Sequence, residues 1–269
     1  MIIFAIAVLA GALAYLGAFY GLDFGRGWSV FAGAAALLVA QMGLGFVLQR
    51  KVKADMAKVQ RILEAGQRKL KEKTQRWQTR PPSSMKAAQK EMFEDTKVFV
   101  REAIAETETL RKYRFWVPLI DRQIATAQLQ LNWMIKEFKT VDRLMPKAMV
   151  VDPTMAAIKM AHLYMNGAGL DEIAKVYRKA VRRSGYNGNV LVAAAMSWMQ
   201  VQRQDFDGAF KTLTEALKKS DDATLKRNHE LLMNNKTAHF SNSGLGDQWY
   251  SLYLEEPKYR NPRQHIQYR

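Results

Sequence analysis

Hydrophobic and polar positions divide the chain into two uncharged apolar stretches and a longer amphipathic remainder. Residues 1–22 and 27–49 contain no charged side chain, and a short polar turn, 23–26, separates them. Each stretch exceeds the about 20 residues that a helix needs to cross a hydrocarbon core. Residues 1–49 are therefore predicted to form a transmembrane helical hairpin. A cleaved signal peptide is the alternative for the first stretch, but that stretch lacks a basic start and is longer than a signal-peptide core.

Basic residues after the second stretch predict the orientation of the hairpin. Five Lys and Arg residues lie between positions 50 and 61, whereas the turn between the stretches carries only Arg26. Because basic residues favour the cytoplasmic side, both termini are predicted to be cytoplasmic, and a bacterial inner membrane is the expected location. Neither stretch contains an ionisable residue, which argues against transport or a proton relay within this chain.

Glycines recur in both apolar stretches at spacings that let helix backbones approach closely. Gly17 and Gly21 have GxxxG spacing, and Gly33, Gly43 and Gly45 keep the second helix thin. The pattern favours packing of the hairpin against itself. A face that binds another membrane protein is the alternative.

Residues 50–80 are predicted to form a basic juxtamembrane helix. Apolar residues recur there at steps of four and three, which predicts a packed helix or a short coiled coil through which copies of the chain form a homo-oligomer. This apolar stripe comprises Val52, Met56, Val59, Leu63, Gly66, Leu70 and Trp77.

The other faces of this helix carry a cluster of positive charge. Residues 50–80 contain eleven basic and three acidic residues. Beside a membrane helix such a cluster is expected to contact anionic lipid. A solvated helix face and nucleic-acid binding are the alternatives, but no nucleic-acid-binding signature accompanies the cluster. The predicted lipid-facing residues are Arg50, Lys51, Lys53, Lys58, Arg61, Arg68, Lys69, Lys71, Lys73 and Arg76.

Composition narrows the chemistry that the chain can perform. Its 269 residues carry a formal net charge of +16, which requires an anionic neighbour. Because the chain contains no cysteine, disulfides, thiolate metal sites and cysteine nucleophiles are excluded. The four histidines are scattered, and acidic pairs such as Glu94 and Asp95 are sequence neighbours that point in different directions on a helix. The sequence predicts no enzyme activity, no cofactor and no metal site.

Residues 81–84 form the clearest break, because Pro81 and Pro82 cannot continue a helix. Ser83 or Ser84 is the predicted cap of the next helix. Residues 85–150 are predicted to form a long antiparallel hairpin of helices, the second with Pro118 in its first turn. The inward face of that second helix comprises Ile124, Ala127, Leu131, Ile135, Phe138 and Leu144.

Residues 151–235 contain a self-similar pattern with an offset of 36 residues, in which 170–181 align with 206–217. Small residues let neighbouring helices approach, and large residues fill the gaps between helix pairs. These positions are Ala161, Tyr164, Tyr177 and Ala180 in the first repeat and Ala209, Leu213 and Ala216 in the second. They resemble the tetratricopeptide-repeat family, although Ile173 and Gln200 depart from its pattern. The resemblance implies helical pairs that bind proteins. Ordinary packing of helical hairpins without repeat ancestry is the alternative.

Residues 236–257 end in a dense aromatic group that includes Trp249, Tyr250 and Tyr253. The segment has little polar interruption, so it is predicted to close the helical array, with docking of a partner as the alternative. Residues 258–269 are predicted to be an extended basic tail.

These patterns predict an all-α fold: a two-helix transmembrane hairpin, a basic juxtamembrane helix and cytoplasmic antiparallel helical hairpins of tetratricopeptide-like type. The predicted function is a membrane-anchored scaffold that binds partner proteins at the cytoplasmic face and helps assemble or organise a membrane complex. An integral structural subunit of a larger membrane complex and a membrane tether for nucleic acid are the alternatives, with nucleic acid the least favoured partner.

Overall fold

The computed structural model describes residues 2–22, 25–80, 82, 84–150, 152–183 and 189–257. Helices and turns account for these residues and no strand occurs among them, which confirms the all-α prediction for this part of the chain. The chain divides into two compact units, Met1–Met149 and Val150–Arg269. Each unit has a hydrophobic core of its own.

The first unit begins with two helices of very different length. Helix α1 (Ile2–Leu16) continues as one π-helical turn, Gly17–Gly21, and contacts helix α2 (Arg26–Thr79). Helix α2 has 54 residues and is about 80 Å long at the usual helical rise. The second apolar stretch and the basic segment are thus one continuous helix, so the boundary drawn at residue 50 falls inside α2. No Gly or Pro occurs between positions 46 and 65 to interrupt the helix.

Helix α3 (Met85–Glu108) follows the proline break. Its first turn is capped by Ser84, whose Oγ accepts a hydrogen bond of 3.1 Å from the Ala87 amide, as predicted for this pair of serines. Helix α3 continues as a 3-10 turn, Thr109–Tyr113.

Helices α4 (Ile120–Met134) and α5 (Phe138–Leu144) replace the single second helix that the sequence predicted. The backbone turns at Lys136, which has a φ of 58°. The Glu137 amide donates to the Asn132 carbonyl over 3.0 Å, which closes the end of α4. The start also differs from the prediction. Pro118 lies outside α4, because Leu119 precedes the first turn with a left-handed φ of 67°.

The apolar stripe of α2 forms the core of the first unit. Val59, Ile62 and Leu63 pack against α3 and α4 side chains that include Val100 and Leu131. Nearer the hairpin, Val52 and Met56 pack with Leu110, Tyr113, Ile120 and Ile124. Of the two predictions for this stripe, the packed helix describes the part from Val52 to Leu63, because the chain's own α3 and α4 cover it.

The second unit consists of helices that recur at a fixed spacing. Helices α6 (Pro153–Met165) and α8 (Asn189–Gln202) begin 36 residues apart, and so do α7 (Leu170–Arg183) and α9 (Phe206–Leu217). Helix α8 contacts α6, α7 and α9, and helix α10 (Ala223–Met233) packs on α9. The short helix α11 (Asp247–Tyr250) completes the unit.

Helices in the second unit begin with aspartate caps and end in left-handed residues. The carboxylates of Asp152, Asp205 and Asp222 each accept a hydrogen bond from a backbone amide in the first turn of α6, α9 and α10. Helices α6, α8 and α10 end in left-handed residues, namely Gly167, Gln204 and Asn235. Glycine and asparagine are the residue types that usually end helices in this conformation, so only the end at Gln204 lacks the usual sequence signal.

Candidate membrane and docking surfaces

The hairpin of α1 and α2 is joined by a reciprocal glycine contact. A Cβ placed on Gly11 would lie 2.9 Å from the Gly33 carbonyl oxygen, and a Cβ placed on Gly33 would lie 2.9 Å from the Gly11 carbonyl oxygen. Gly33 is thus the one glycine of the predicted packing set that lies in this contact, and Gly11 was not predicted. A Cβ would meet nothing within 4 Å at the other four, which are Gly17, Gly21, Gly43 and Gly45.

Both hairpin helices are long and apolar enough to cross a membrane, and they remain largely exposed in the folded chain. In the most apolar window, 17% of α1 with its π-helical turn and 6% of α2 is buried. Large apolar side chains point outward along both helices, for example Phe4, Leu13, Val39 and Phe46. A core helix of a soluble protein buries such residues, and an apolar surface of this extent in water would favour aggregation.

The predicted lipid-facing cluster divides into exposed and paired residues. Nine of its ten side chains are exposed on α2, although the Lys58 ammonium lies 2.9 Å from Asp55. Lys73 differs, because its ammonium binds the carboxylates of Glu91 and Asp95 on α3. Asp95 above all, and then Glu91, raises the pKa of Lys73. Lys73 therefore joins α2 to α3.

The proximal part of α2 holds a buried carboxylate that the sequence patterns did not single out. Asp55 is 7% exposed. Its carboxylate accepts from the Lys112 ammonium at 2.6 Å, from the Lys58 ammonium at 2.9 Å and from the Tyr113 hydroxyl at 2.9 Å. Lys112 above all, with Lys58 and Tyr113, holds the pKa of Asp55 well below its usual range. These bonds fix the 3-10 turn after α3 to α2.

A cleft between α6 and α7 forms a basic concavity in the second unit. Its volume is about 200 Å³, and its apolar floor includes Ala156 and Val176. The rim carries four basic side chains, Lys159, Lys175, Lys179 and Arg183. Lys159, Lys175 and Lys179 have no ion-pair partner among the described residues. Among the described residues that line this α6–α7 cleft, Asp152 is the one acidic residue, and its carboxylate caps α6.

The repeat residues named from the sequence lie mostly in the interior of the second unit. Ala161, Ala180, Ala209, Leu213 and Ala216 are buried. Tyr177 is half-buried against the core that contains Leu213, and Tyr164 packs edge-on to Trp198 with ring centroids 5.6 Å apart.

The C-terminal aromatic segment is partly folded into the same unit. Trp249 is fully buried and packs against Trp198 with centroids 5.8 Å apart. Its indole N–H donates to Glu255 over 2.9 Å. Tyr250 and Tyr253 are half-buried, and burial raises the pKa of the Tyr253 hydroxyl. The predicted tail, 258–269, lies outside the described residues.

Comparison with known proteins adds no relative. No protein-family model, no curated protein and no solved structure matches the chain. In the described part of the chain, no group of three or more His, Asp or Glu side chains is placed to hold a metal ion.

We expect Asp55→Asn to destabilise the first unit by about 2 kcal/mol, because charge-assisted hydrogen bonds to a buried carboxylate are lost. The pKa of Asp55 is lowered on folding, so its stabilisation is present above the ordinary aspartate value of 3.8 and is lost as the pH falls from there toward the folded value. Melting of the full-length protein in mild detergent would show a gap between wild type and variant at pH 7 that closes below pH of about 4.

The matched control for this experiment is Glu64→Gln. Glu64 is exposed on the same helix and has no bonded partner among the described residues. Its replacement should leave the melting temperature unchanged at pH 7. Equal melting of Asp55→Asn and wild type at pH 7 would contradict the structural role of Asp55.

Proposed function

We propose that this protein is a membrane-anchored helical scaffold. In this proposal the α1–α2 hairpin spans the membrane, both termini are cytoplasmic, and the helical pairs of the second unit bind partner proteins during assembly of a membrane complex. A bacterial inner membrane is the proposed location. The observation that carries the proposal is the pair of long apolar helices whose side chains stay exposed when the rest of the chain is folded.

Flanking charge supports the proposed orientation. Arg50, Lys51 and Lys53 directly follow the apolar part of α2 and are exposed. The opposite end of the hairpin carries one basic and one acidic residue, Arg26 and Asp23. The excess of basic residues after α2 favours a cytoplasmic location for that end.

The continuity of α2 limits which basic residues can contact lipid. From Arg50 to Arg68 the helix rises about 27 Å, whereas exposed charges are screened over about 8 Å at physiological salt. In a helix that crosses the bilayer near the usual tilt of about 20°, Arg50, Lys51 and Lys53 lie beside the headgroups. The distal basic residues Arg68, Lys69, Lys71 and Arg76 stand well clear of them. Lipid therefore binds the proximal residues, and the distal residues remain available to an acidic partner.

The second unit supports the proposal of tetratricopeptide-like repeats. The helix pairs α6–α7 and α8–α9 recur every 36 residues, and α8 packs against both helices of the preceding pair. Stacked pairs of this kind bury small residues where helices cross, and Ala161, Ala180 and Ala209 are buried in this unit. Helix α10 and the segment around Trp249 supply the packing that would otherwise require a third full repeat.

The α6–α7 cleft is the proposed docking surface. Lys159, Lys175 and Lys179 surround an apolar floor, and the carboxylate of Asp152, which also lines the cleft, caps α6. Charge complementarity therefore favours an acidic segment of a partner protein that carries one small apolar side chain into the cleft.

A photoreactive amino acid in place of Val176 tests this proposal in intact cells. We expect a covalent adduct with one discrete partner protein, and we expect Lys159→Glu with Lys175→Glu to lower its yield about tenfold, because like charges then oppose the acidic segment. The matched control, Lys211→Glu with Lys219→Glu, reverses two exposed charges on the α9 side of the same unit and should leave the yield unchanged.

Three results would contradict the proposed docking surface. They are adducts with lipid or nucleic acid alone, no adduct at position 176, and equal losses in the cleft and control variants. A photoreactive residue at the exposed position Leu38 distinguishes the alternative of a structural subunit. That alternative requires stoichiometric protein adducts within the membrane rather than at the cleft.

A further inference from the structure

The segment 110–122 connects α3 to α4 and has two faces of opposite character. Leu110, Tyr113 and Ile120 are buried in the core of the first unit. Phe115 and Leu119 point away from that core and are 70% and 56% exposed. A phenylalanine and a leucine exposed together, ahead of a helix, suggest that this face has a second environment to contact.

The 110–122 segment lies at one end of the apolar hairpin. The Ile2 amide donates a hydrogen bond of 3.5 Å to the Phe115 carbonyl, and Ile2 lines the same cavity as Phe115, Leu119 and Arg122. Leu48 packs in the cluster that contains Ile120. Ile2 is the first residue of α1, and Leu48 is the last large apolar residue before Arg50. Phe115 and Leu119 are thus level with the end of the hairpin helices where α2 becomes basic.

Charge in and around this segment is suited to an anionic surface. Residues 110–122 contain four basic residues and one acidic residue. Lys112 is engaged by Asp55, Arg111 by Glu108, and Arg114 by Asp121 at 3.0 Å. Arg122 is exposed and has no ion-pair partner among the described residues. Together with Arg50, Lys51 and Lys53, it forms a band of positive charge at the level of Phe115.

We propose that the 110–122 segment is a second membrane contact, in which Phe115 and Leu119 enter the headgroup region of an anionic leaflet and Arg122 binds lipid phosphate. This inference rests on the proposed anchoring of the hairpin. The segment is too short to span a bilayer, and aromatic and aliphatic side chains flanked by basic residues favour the interface. The same segment is fixed to α2 by the hydrogen bond between Tyr113 and Asp55. The membrane contact therefore also sets the rotation of the first unit, about the long axis of α2, relative to the membrane surface.

Site-directed spin labelling of the full-length chain tests this contact directly, since the absence of cysteine makes every introduced cysteine unique. Nitroxides are placed at Phe115→Cys, at Leu38→Cys in the hairpin and at Val98→Cys, an exposed position on α3. In vesicles of phosphatidylcholine with about 30% phosphatidylglycerol, we expect collisions with oxygen to exceed collisions with a water-soluble nickel complex at positions 115 and 38. The opposite is expected at position 98. Leu119→Cys repeats the measurement independently of Phe115.

The two proposals fail in distinguishable ways. If label 38 is in lipid while labels 115 and 119 are both in water, the second contact is wrong and the anchoring stands. If label 38 is in water, the anchoring itself is wrong. In vesicles of phosphatidylcholine alone, the oxygen-to-nickel collision ratio at 115 should fall by at least about threefold without change at 38. An unchanged ratio at 115 would overturn the role of Arg122 and anionic lipid.

Discussion

Replacement of Gly66 by leucine is expected to separate α3 from α2 and to destabilise the first unit by about 3 kcal/mol. Gly66 is buried on the stripe of α2 that faces α3. A Cβ at this position would lie 2.2 Å from Cγ of Phe99 and 2.4 Å from its Cδ1. The ring must therefore leave its place before any larger residue can enter, and the Val100 and Ala103 contacts beside it are disturbed with it.

Removal of the Phe99 ring should reverse the destabilisation that Gly66→Leu causes. In the double variant Gly66→Leu with Phe99→Ala, the leucine fills the space that the ring vacates, and the replacement of glycine within a helix itself contributes about 1 kcal/mol of stability. We expect the double variant to recover at least half of the loss. If the two substitutions acted independently, their destabilising effects would add. Comparison of both single variants with the double variant therefore measures the contact between position 66 and the Phe99 ring.

Hydrogen exchange of the α3 amides in the full-length protein gives the local readout. A loss of about 3 kcal/mol corresponds to exchange that is about 100-fold faster. Gln67→Leu is the matched control, because Gln67 is the next residue of α2 and is exposed. Exchange at wild-type rates in Gly66→Leu, or no recovery on adding Phe99→Ala, would show that α2 and α3 are not held together here.

Helix types and several helix ends could be predicted from the sequence because they depend on local chemistry. Ser84 caps α3, and the stripe residues Val59 and Leu63 pack against α3 and α4 as their spacing predicted. The break at Lys136 could not be predicted, since a left-handed lysine has no signal of its own and costs free energy that only tertiary packing offsets. The same reason hides Gln204 as a helix end.

The basic surface proposed to contact the membrane was predictable in composition but not in geometry. Positive charge near the hairpin follows from counting, yet only the structure shows that Lys73 is paired with α3 and that α2 extends without a break. The role of Asp55 had one available signal. It is one of three acidic residues in a basic helix and lies beside the stripe positions 52, 56 and 59. Its partners, Lys112 and Tyr113, are too distant in sequence for spacing to reveal them.

Replacement of Gly33 by leucine is expected to force the hairpin helices apart. The atom that a Cβ would meet at 2.9 Å is the Gly11 carbonyl oxygen, and Cβ of Tyr15 would lie at 3.0 Å. A backbone oxygen cannot rotate away as a side chain can, so α1 itself must move. Helices with larger residues at a crossing pack at about 8 to 10 Å between axes, whereas small residues permit closer approach. We therefore expect the helices to separate by about 2 Å.

Paired nitroxides at Leu9 and Val39, both exposed on the hairpin, measure this separation in the full-length protein reconstituted in lipid. Gly33→Leu should lengthen and broaden the distance distribution, and Gly11→Leu should have the same effect because the contact is reciprocal. Gly43→Leu is the matched control, since a Cβ there meets nothing within 4 Å.

GxxxG spacing alone would instead make Gly17 and Gly21 critical. If Gly17→Leu changed the distance while Gly33→Leu did not, the helices would be packed on a different face from the one that Gly11 and Gly33 define.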